Sequence, residues 1–352
     1  MNTSTAFPHG TRPVASRHIF DPKPLEAWLC ANLMEYRGPL KISQFEGGQS
    51  NPTFLLATPS SEYVLRKQPP GQLLQSAHAI DREFRVLRAL ANSPVPVPAA
   101  LVYCDDASVI GTPFYLMRFL AGRIDTDPLL PTLTQTQRAA AYDSMVKAMA
   151  AIHRFDWHDN GLIDYGRPEN YLARQLARWS KQYETSRTED LPAMEQLRDW
   201  LTANLPTEQH ASLVHGDYRI GNLIYSLHDN AVTAVLDWEL STIGDPFSDL
   251  AFNCMTYHLP MGHPVSAGFL GANLAALGIP DEASYLEAYH RYSGLDPRPH
   301  WRYYMAFSLY RTAAIQQGVY ARALKGNASS RTAHLFGESY RLVAQTGQRL
   351  TA

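Results

Sequence analysis

The chain has 352 residues, of which 45% are hydrophobic and 18% charged. At about 150 residues per domain this predicts two globular domains or lobes with a real core, and excludes a chain that is disordered throughout. With 31 basic and 33 acidic residues the net charge is -2, which excludes a protein built mainly to coat nucleic acid or an acidic membrane.

In chain order, residues 1–24 read as a loose arm rich in Pro, Ser, Thr and His, with no apolar core of a secretory signal. Pro24 to Tyr36 reads as a helix, with Leu25, Leu29 and Leu33 on one face. Leu40 to Phe45, Thr53 to Ala57 and Tyr63 to Lys67 read as strands separated by Gly47-Gly48 and Pro59-Ser60-Ser61. Ser76 to Ala91 has helical spacing at Ile80, Phe84, Leu87 and Ala91, and Leu101 to Tyr103 and Pro113 to Phe119 read as two more strands. These residues predict a sheet of about five strands with one inserted helix.

After Gly122 the pattern turns helical. Helices are expected at Gln135 to Phe155, Tyr171 to Tyr183, Leu191 to Leu205, Trp301 to Leu324 and Thr332 to Thr346. Two short apolar runs, Ser212 to His215 and Ala231 to Leu236, read as strands inside this half. A β-rich lobe (25–120) followed by a helical lobe (121–352) is expected, with ligands in a cleft. No stretch reaches the roughly 18 to 20 apolar residues of a membrane span. Cys30, Cys104 and Cys254 form no CxxC pair, so neither a zinc ribbon nor a disulfide framework is expected, and a cytoplasmic location is.

The segment that carries chemistry is His215-Gly216-Asp217-Tyr218-Arg219-Ile220-Gly221-Asn222, followed by Leu236-Asp237-Trp238-Glu239. An apolar strand leads into a polar loop holding an Asp and an Asn; a second apolar strand then ends in Asp. This order would bring Asp217, Asn222 and Asp237 to one edge. Phosphoryl transfer needs such a set: one carboxylate orients the attacking hydroxyl and accepts its proton. A second carboxylate and an amide oxygen suit Mg²⁺, a hard cation that takes oxygen ligands.

HGDYRIGN followed by LDWE resembles the aminoglycoside phosphotransferase and choline kinase family, relatives of the protein kinases. Within it the chain is similar to the kinase-like domain that some proteins carry ahead of an acyl-CoA dehydrogenase domain. The resemblance implies an α+β, two-lobed protein-kinase-like fold, a small-molecule acceptor and the cofactors ATP and Mg²⁺. It makes Asp217 the catalytic base and Asn222 and Asp237 the metal ligands. His215 would brace the loop, and Asp249 would hold the loop's backbone. Glu239 stands where the antibiotic-resistance enzymes usually have a second Asp; a metal role and a surface salt bridge both stay open for it.

On the nucleotide side, the resemblance puts Gly48, Ser50 and Asn51 over the ATP phosphates, since glycine allows close backbone approach. No GxxxxGK[ST] or GxGxxG is present, which excludes a P-loop NTPase and argues against a dinucleotide fold. Arg66 falls at the position of the kinase lysine, with Lys67 as its rival on the opposite face of the strand. Glu83 is the expected partner on the following helix. Arg118 and Leu120 would read the adenine edge through their backbone.

The leading expectation is a cytoplasmic kinase acting on a hydroxyl of a small molecule, with neither nucleic acid nor membrane as partner. A nucleotide-binding pseudokinase without turnover is the alternative, motivated by Arg66. A flavin dehydrogenase finds no support in these residues. Neither the acceptor nor the oligomeric state is legible.

Overall fold

The structure, a computed structural model, describes residues 8–46, 51–69, 80–207, 210–326 and 332–352. The chain divides into two compact units, Met1–Ala121 with Ala234–Glu239, and Gly122–Thr233 with Leu240–Ala352. The short segment ending in Asp237, Trp238 and Glu239 thus groups with the first unit, although more than a hundred residues separate it in sequence from the rest of that unit.

The first unit is built on a six-stranded antiparallel sheet: β1 (Thr11–Arg12), β2 (Lys41–Phe45), β3 (Thr53–Ala57), β4 (Glu62–Lys67), β5 (Ala100–Cys104) and β6 (Phe114–Arg118). Its order is β1-β2-β3-β4-β6-β5. The sixth strand comes from the stretch read as a loose arm: Thr11 pairs with Phe45 and Arg12 with Gln44. A run of two residues carries no readable alternation, so the sequence could not show it. Helix α1 (Pro22–Asn32) begins at Asp21, whose Oδ1 accepts from the Lys23 N–H at 3.0 Å, with proline at the first helical position. Helix α2 (Ile80–Leu90) follows β4, and the short α3 (Ala107–Ile110) links β5 to β6. The expected helical residues 76–79 lie outside the described residues.

Strand alternation sorts the sheet's side chains. Phe54, Leu56, Tyr63, Leu65, Phe114 and Leu116 join Leu25, Leu29 and Leu33 of α1 in one apolar core. The neighbouring positions Leu55, Val64, Arg66 and Tyr115 therefore face the other way. In register, Leu55 stands opposite Val64 and Arg66 opposite Tyr115.

The second unit is mostly helical: α4 (Gln135–His153), α5 (Tyr171–Ser186), α6 (Pro192–Ala203), α7 (Phe247–Cys254), α8 (Leu274–Leu277), α9 (Glu282–Ser293), α10 (Trp301–Leu324) and α11 (Phe336–Thr351). The α4 start carries a reciprocal capping box between Thr134 and Gln137. Helix α10 is apolar around most of its circumference, as a central core helix must be, and packs on α5, α6, α7 and α11. Four short strands are threaded among these helices: β7 (Ser212–Val214), β8 (Leu223–Tyr225), β9 (Val232–Val235) and β10 (Thr242–Gly244). β7 pairs antiparallel with β10, so Leu213 meets Ile243. β9 starts in this unit and ends in the first.

Candidate active site

The catalytic-type loop lies in the second unit, between β7 and β8. Gly216 has φ +84, and a Cβ there would stand 2.5 Å from the Leu240 carbonyl oxygen, so the loop needs glycine at this point. Asp217 follows, with its side chain one-quarter exposed. Asn222 is buried, and its Nδ2 donates to Asp217 Oδ2 at 2.8 Å and to the Asp217 carbonyl at 2.9 Å. Arg219, half exposed, lies 3.2 Å from the same Oδ2 through Nε. Among the described residues Asp217 Oδ1 accepts no hydrogen bond, which leaves it the oxygen available to a substrate hydroxyl.

The loop is fixed through its backbone. Asp249, at the start of α7, is buried; Oδ2 accepts from the His215 N–H at 2.5 Å and Oδ1 from the Gly216 N–H at 2.8 Å. Burial works against the Asp249 charge, but the His153 side chain 3.5 Å away, His215 and these N–H groups hold its carboxyl below the ordinary range. His215 is fully buried and its Nδ1 accepts from the Asp217 N–H at 3.2 Å, a bracing role. Tyr218 is also fully buried, and its hydroxyl donates to the Met145 carbonyl of α4 at 2.7 Å. Asp245 serves a turn and a helix: Oδ1 accepts from the Phe247 N–H at 3.0 Å and Oδ2 from the Tyr304 hydroxyl at 2.7 Å.

The first unit gathers a second polar cluster. Arg66 is buried, with Nε 2.9 Å from Glu83 Oε2 and NH2 2.5 Å from Asp237 Oδ1. The Glu83 contact is an ion pair whose atoms are not aligned for a hydrogen bond. Glu239 Oε2 lies 3.8 Å from the same guanidinium and accepts from Asn51 Nδ2 at 3.1 Å. Burial works against the Arg66 charge, but Glu83, Tyr115 and Asp237 raise its pKa overall. Burial pushes Glu83 up to about 7 against the pull of Arg66, with Asp237 and Glu239 adding to the rise. Asp237 has φ +67, a left-handed conformation that Asp tolerates better than most residues.

Lys67 points to the apolar face of β4. Its Nζ donates to the Ile110 carbonyl at 3.3 Å and sits 5.1 Å from the Phe20 ring centre, and burial lowers its pKa. Of the two rivals, Arg66 is the one that pairs with Glu83. Both residues are buried.

The predicted residues thus fall into two groups. Asp217 and Asn222 come together in the second unit; Asn51, Arg66, Glu83, Asp237 and Glu239 come together in the first. Gly48 and Ser50 lie outside the described residues. The Arg118 N–H is already used, donating to the Ala99 carbonyl at 2.9 Å, and its side chain pairs with Glu35 at 2.5 Å. Leu120 is half-buried, and among the described residues its N–H has no partner. Among the described residues no three His, Cys, Asp or Glu side chains form a ready metal cage. Asn222 and Asp237 nevertheless each fit Mg²⁺ as donors. The Asn222 amide spends its Nδ2 on Asp217, which leaves Oδ1; Arg66 takes Oδ1 of Asp237, which leaves Oδ2. Mg²⁺ usually takes only one or two carboxylates and completes its shell with phosphates and water.

Two groups escaped the sequence reading: His153 and Arg311. His153 reaches Asp249 and Arg311 reaches the Gly216 carbonyl, each from a helix remote in sequence, and no local spacing could point to either.

The phosphotransferase enzyme family profile matches residues 41–295. Acyl-CoA dehydrogenase family member 10 of Mus musculus is 46% identical over 93% of this chain, which spans 31% of that protein. Family member 11 of Homo sapiens is 42% identical over 96% of the chain, which spans 44% of that protein. The chain therefore covers less than half of these curated relatives. A Ralstonia eutropha crystal structure described as a candidate aminoglycoside phosphotransferase superposes with a TM-score of 0.88 at 44% identity, covering 95% of this chain and 98% of that one. Aminoglycoside phosphotransferase APH(4)-Ia, crystallised as a ternary complex with AMP-PNP and hygromycin B, gives a TM-score of 0.61 at 18% identity over 93% of this chain and 99% of its own. That likeness extends to the fold. Among the described residues no helix is long and apolar enough to cross a membrane. By its profile match and its relatives, the chain belongs to the phosphotransferase enzyme family and has the α+β, two-lobed kinase-like fold.

Proposed function

We propose that this chain is a small-molecule kinase that transfers the γ-phosphoryl group of ATP to a hydroxyl. The observation that carries this reading is the state of Asp217: one oxygen fixed by Asn222, the other open, on a loop tied down by Asp249. The acceptor hydroxyl would donate to Asp217 Oδ1 and attack the γ-phosphorus. The bond from that phosphorus to the ADP oxygen breaks, and the hydroxyl proton passes to Asp217. Residues 25–120 would form the nucleotide-binding half and 121–352 the catalytic half. Arg66, oriented by Glu83, would hold phosphate oxygens, and Arg118 and Leu120 would meet the adenine through their backbone. Asn222 and Asp237 would hold Mg²⁺, which when bound neutralises the charge that develops on the phosphates. Glu239, whose Oε2 accepts from Asn51, would be a further carboxylate for the metal.

The curated relatives carry acyl-CoA dehydrogenase in their names, so hydroxyacyl-CoA thioesters head the acceptors to be tried. A cytoplasmic location is proposed on the three unpaired cysteines. The pseudokinase reading is supported by one feature, an arginine where kinases hold a lysine. A screen of hydroxyl-bearing metabolites for ADP release and a phosphorylated product, with Asp217→Ala as control, separates the two. Product with some acceptor, absent in the variant, supports the kinase. ATP binding with no product across the panel supports the pseudokinase.

A further inference from the structure

We infer that Arg311 of α10 is a positioning residue for Asp217, clamping the peptide plane from which the catalytic carboxylate springs. The Gly216 carbonyl and the Asp217 N–H belong to one planar peptide group. Arg311 NH2 donates to that carbonyl at 2.5 Å, and His215 Nδ1 accepts from that N–H at 3.2 Å. The preceding N–H, that of Gly216, goes to Asp249. Both edges of the plane are therefore held, and the direction in which Asp217 leaves the backbone is set by these partners. His215 belongs to the loop and Asp249 lies 33 residues from Gly216; Arg311 acts from a helix 95 residues away.

The surroundings of Arg311 are unusual for a structural arginine. It is buried, yet among the described residues no carboxylate pairs with it, and its Nε has no partner. Its guanidinium instead lies 5.5 Å from the Trp179 ring centre and 5.4 Å from that of Phe252. A flat cation can offer its faces to two aromatic rings and its edge to a carbonyl at the same time; an ammonium cannot. A helix-packing role alone would be met more cheaply by an apolar residue, because a buried charge without a counter-charge is costly. What the arginine adds is a strong, directed donor to one chosen carbonyl.

This inference rests on the phosphotransferase reading, so its test has one arm that needs no turnover. Hydrogen exchange over residues 213–223 is compared in wild type, Arg311→Lys and Arg311→Gln, in the full chain. The clamp predicts faster exchange in both variants at the loop, with β2 to β4 unchanged. In the second arm, ATP turnover is measured with Mg²⁺ and water or a found acceptor. The variants are expected to lose about 10- to 100-fold in kcat with KM for ATP held within about twofold, as misplacement of a catalytic group should. Guanidinium added to Arg311→Ala should restore part of the loss. Loop exchange and kcat both equal to wild type would overturn the inference. So would a loss of kcat that follows a fall in Tm and is not rescued by guanidinium, which marks a packing role. A loosened loop in a chain that neither binds nor consumes ATP would leave the clamp standing and remove the kinase reading instead.

Discussion

The two polar clusters are wired differently. In the second unit the loop around Asp217 is held by bonds to its backbone: Asp249 on two N–H groups, Arg311 on a carbonyl, His215 on an N–H. In the first unit, Arg66, Glu83, Asp237 and Glu239 meet through side-chain charges. Backbone clamps fix geometry and do not exchange partners easily. Charge pairs can be traded, an Arg66–carboxylate contact for an Arg66–phosphate one. The contrast fits the division of labour proposed above: a base must sit still, and a nucleotide site must give up its internal pairs when the ligand arrives.

The contrast can be broken by substitution. The largest effect on stability is expected from Arg66→Met, which strands buried Glu83 beside Asp237 and Glu239. Loss of one partner from such a buried network costs about 3–5 kcal/mol, read by urea unfolding. A cost below about 1 kcal/mol would show the cluster to be an ordinary surface network. Next, Asp249→Ala frees two buried N–H groups and should lower ATP turnover about 100-fold with little change in ATP affinity. An equal fall in affinity would show that the clamp is not specific to the base.

A pH effect follows for Glu83. Its ordinary pKa of 4.5 rises to about 7 in the folded chain, so the folded state keeps this proton longer than the unfolded state. The stability tied to it is complete below about pH 4.5 and is lost as pH rises through about 7. Wild type should therefore lose Tm relative to Glu83→Gln between those values; a parallel pair of profiles would refute the shift. The smallest effect is expected from Tyr218→Phe, which removes one buried hydrogen bond to Met145 at a cost of about 1 kcal/mol. Thermal unfolding reads it, and no shift in Tm would mean that the bond is not formed.

Much of this was legible in the sequence, and the reason is locality. Asp217 and Asn222 sit five positions apart on one loop, so their meeting is nearly dictated by the motif. Strand alternation alone put Arg66 and Lys67 on opposite faces, and the structure adds which face holds Glu83. Arg311 illustrates the limit: on α10 nothing local sets it apart from the helix's other polar residues, and only tertiary packing brings it to Gly216. The same holds for Asp237, whose place in the first unit depends on a chain return that no periodicity encodes. β1, two residues long, has no pattern to read.

The most direct test of the central claim is Asp217→Asn, which keeps the side chain's shape and removes its ability to take a proton. Turnover and ATP affinity are measured side by side in the presence of Mg²⁺. The account predicts a loss of at least about 100-fold in kcat, with ATP affinity within a few-fold of wild type. Turnover close to wild type in the folded variant would contradict it.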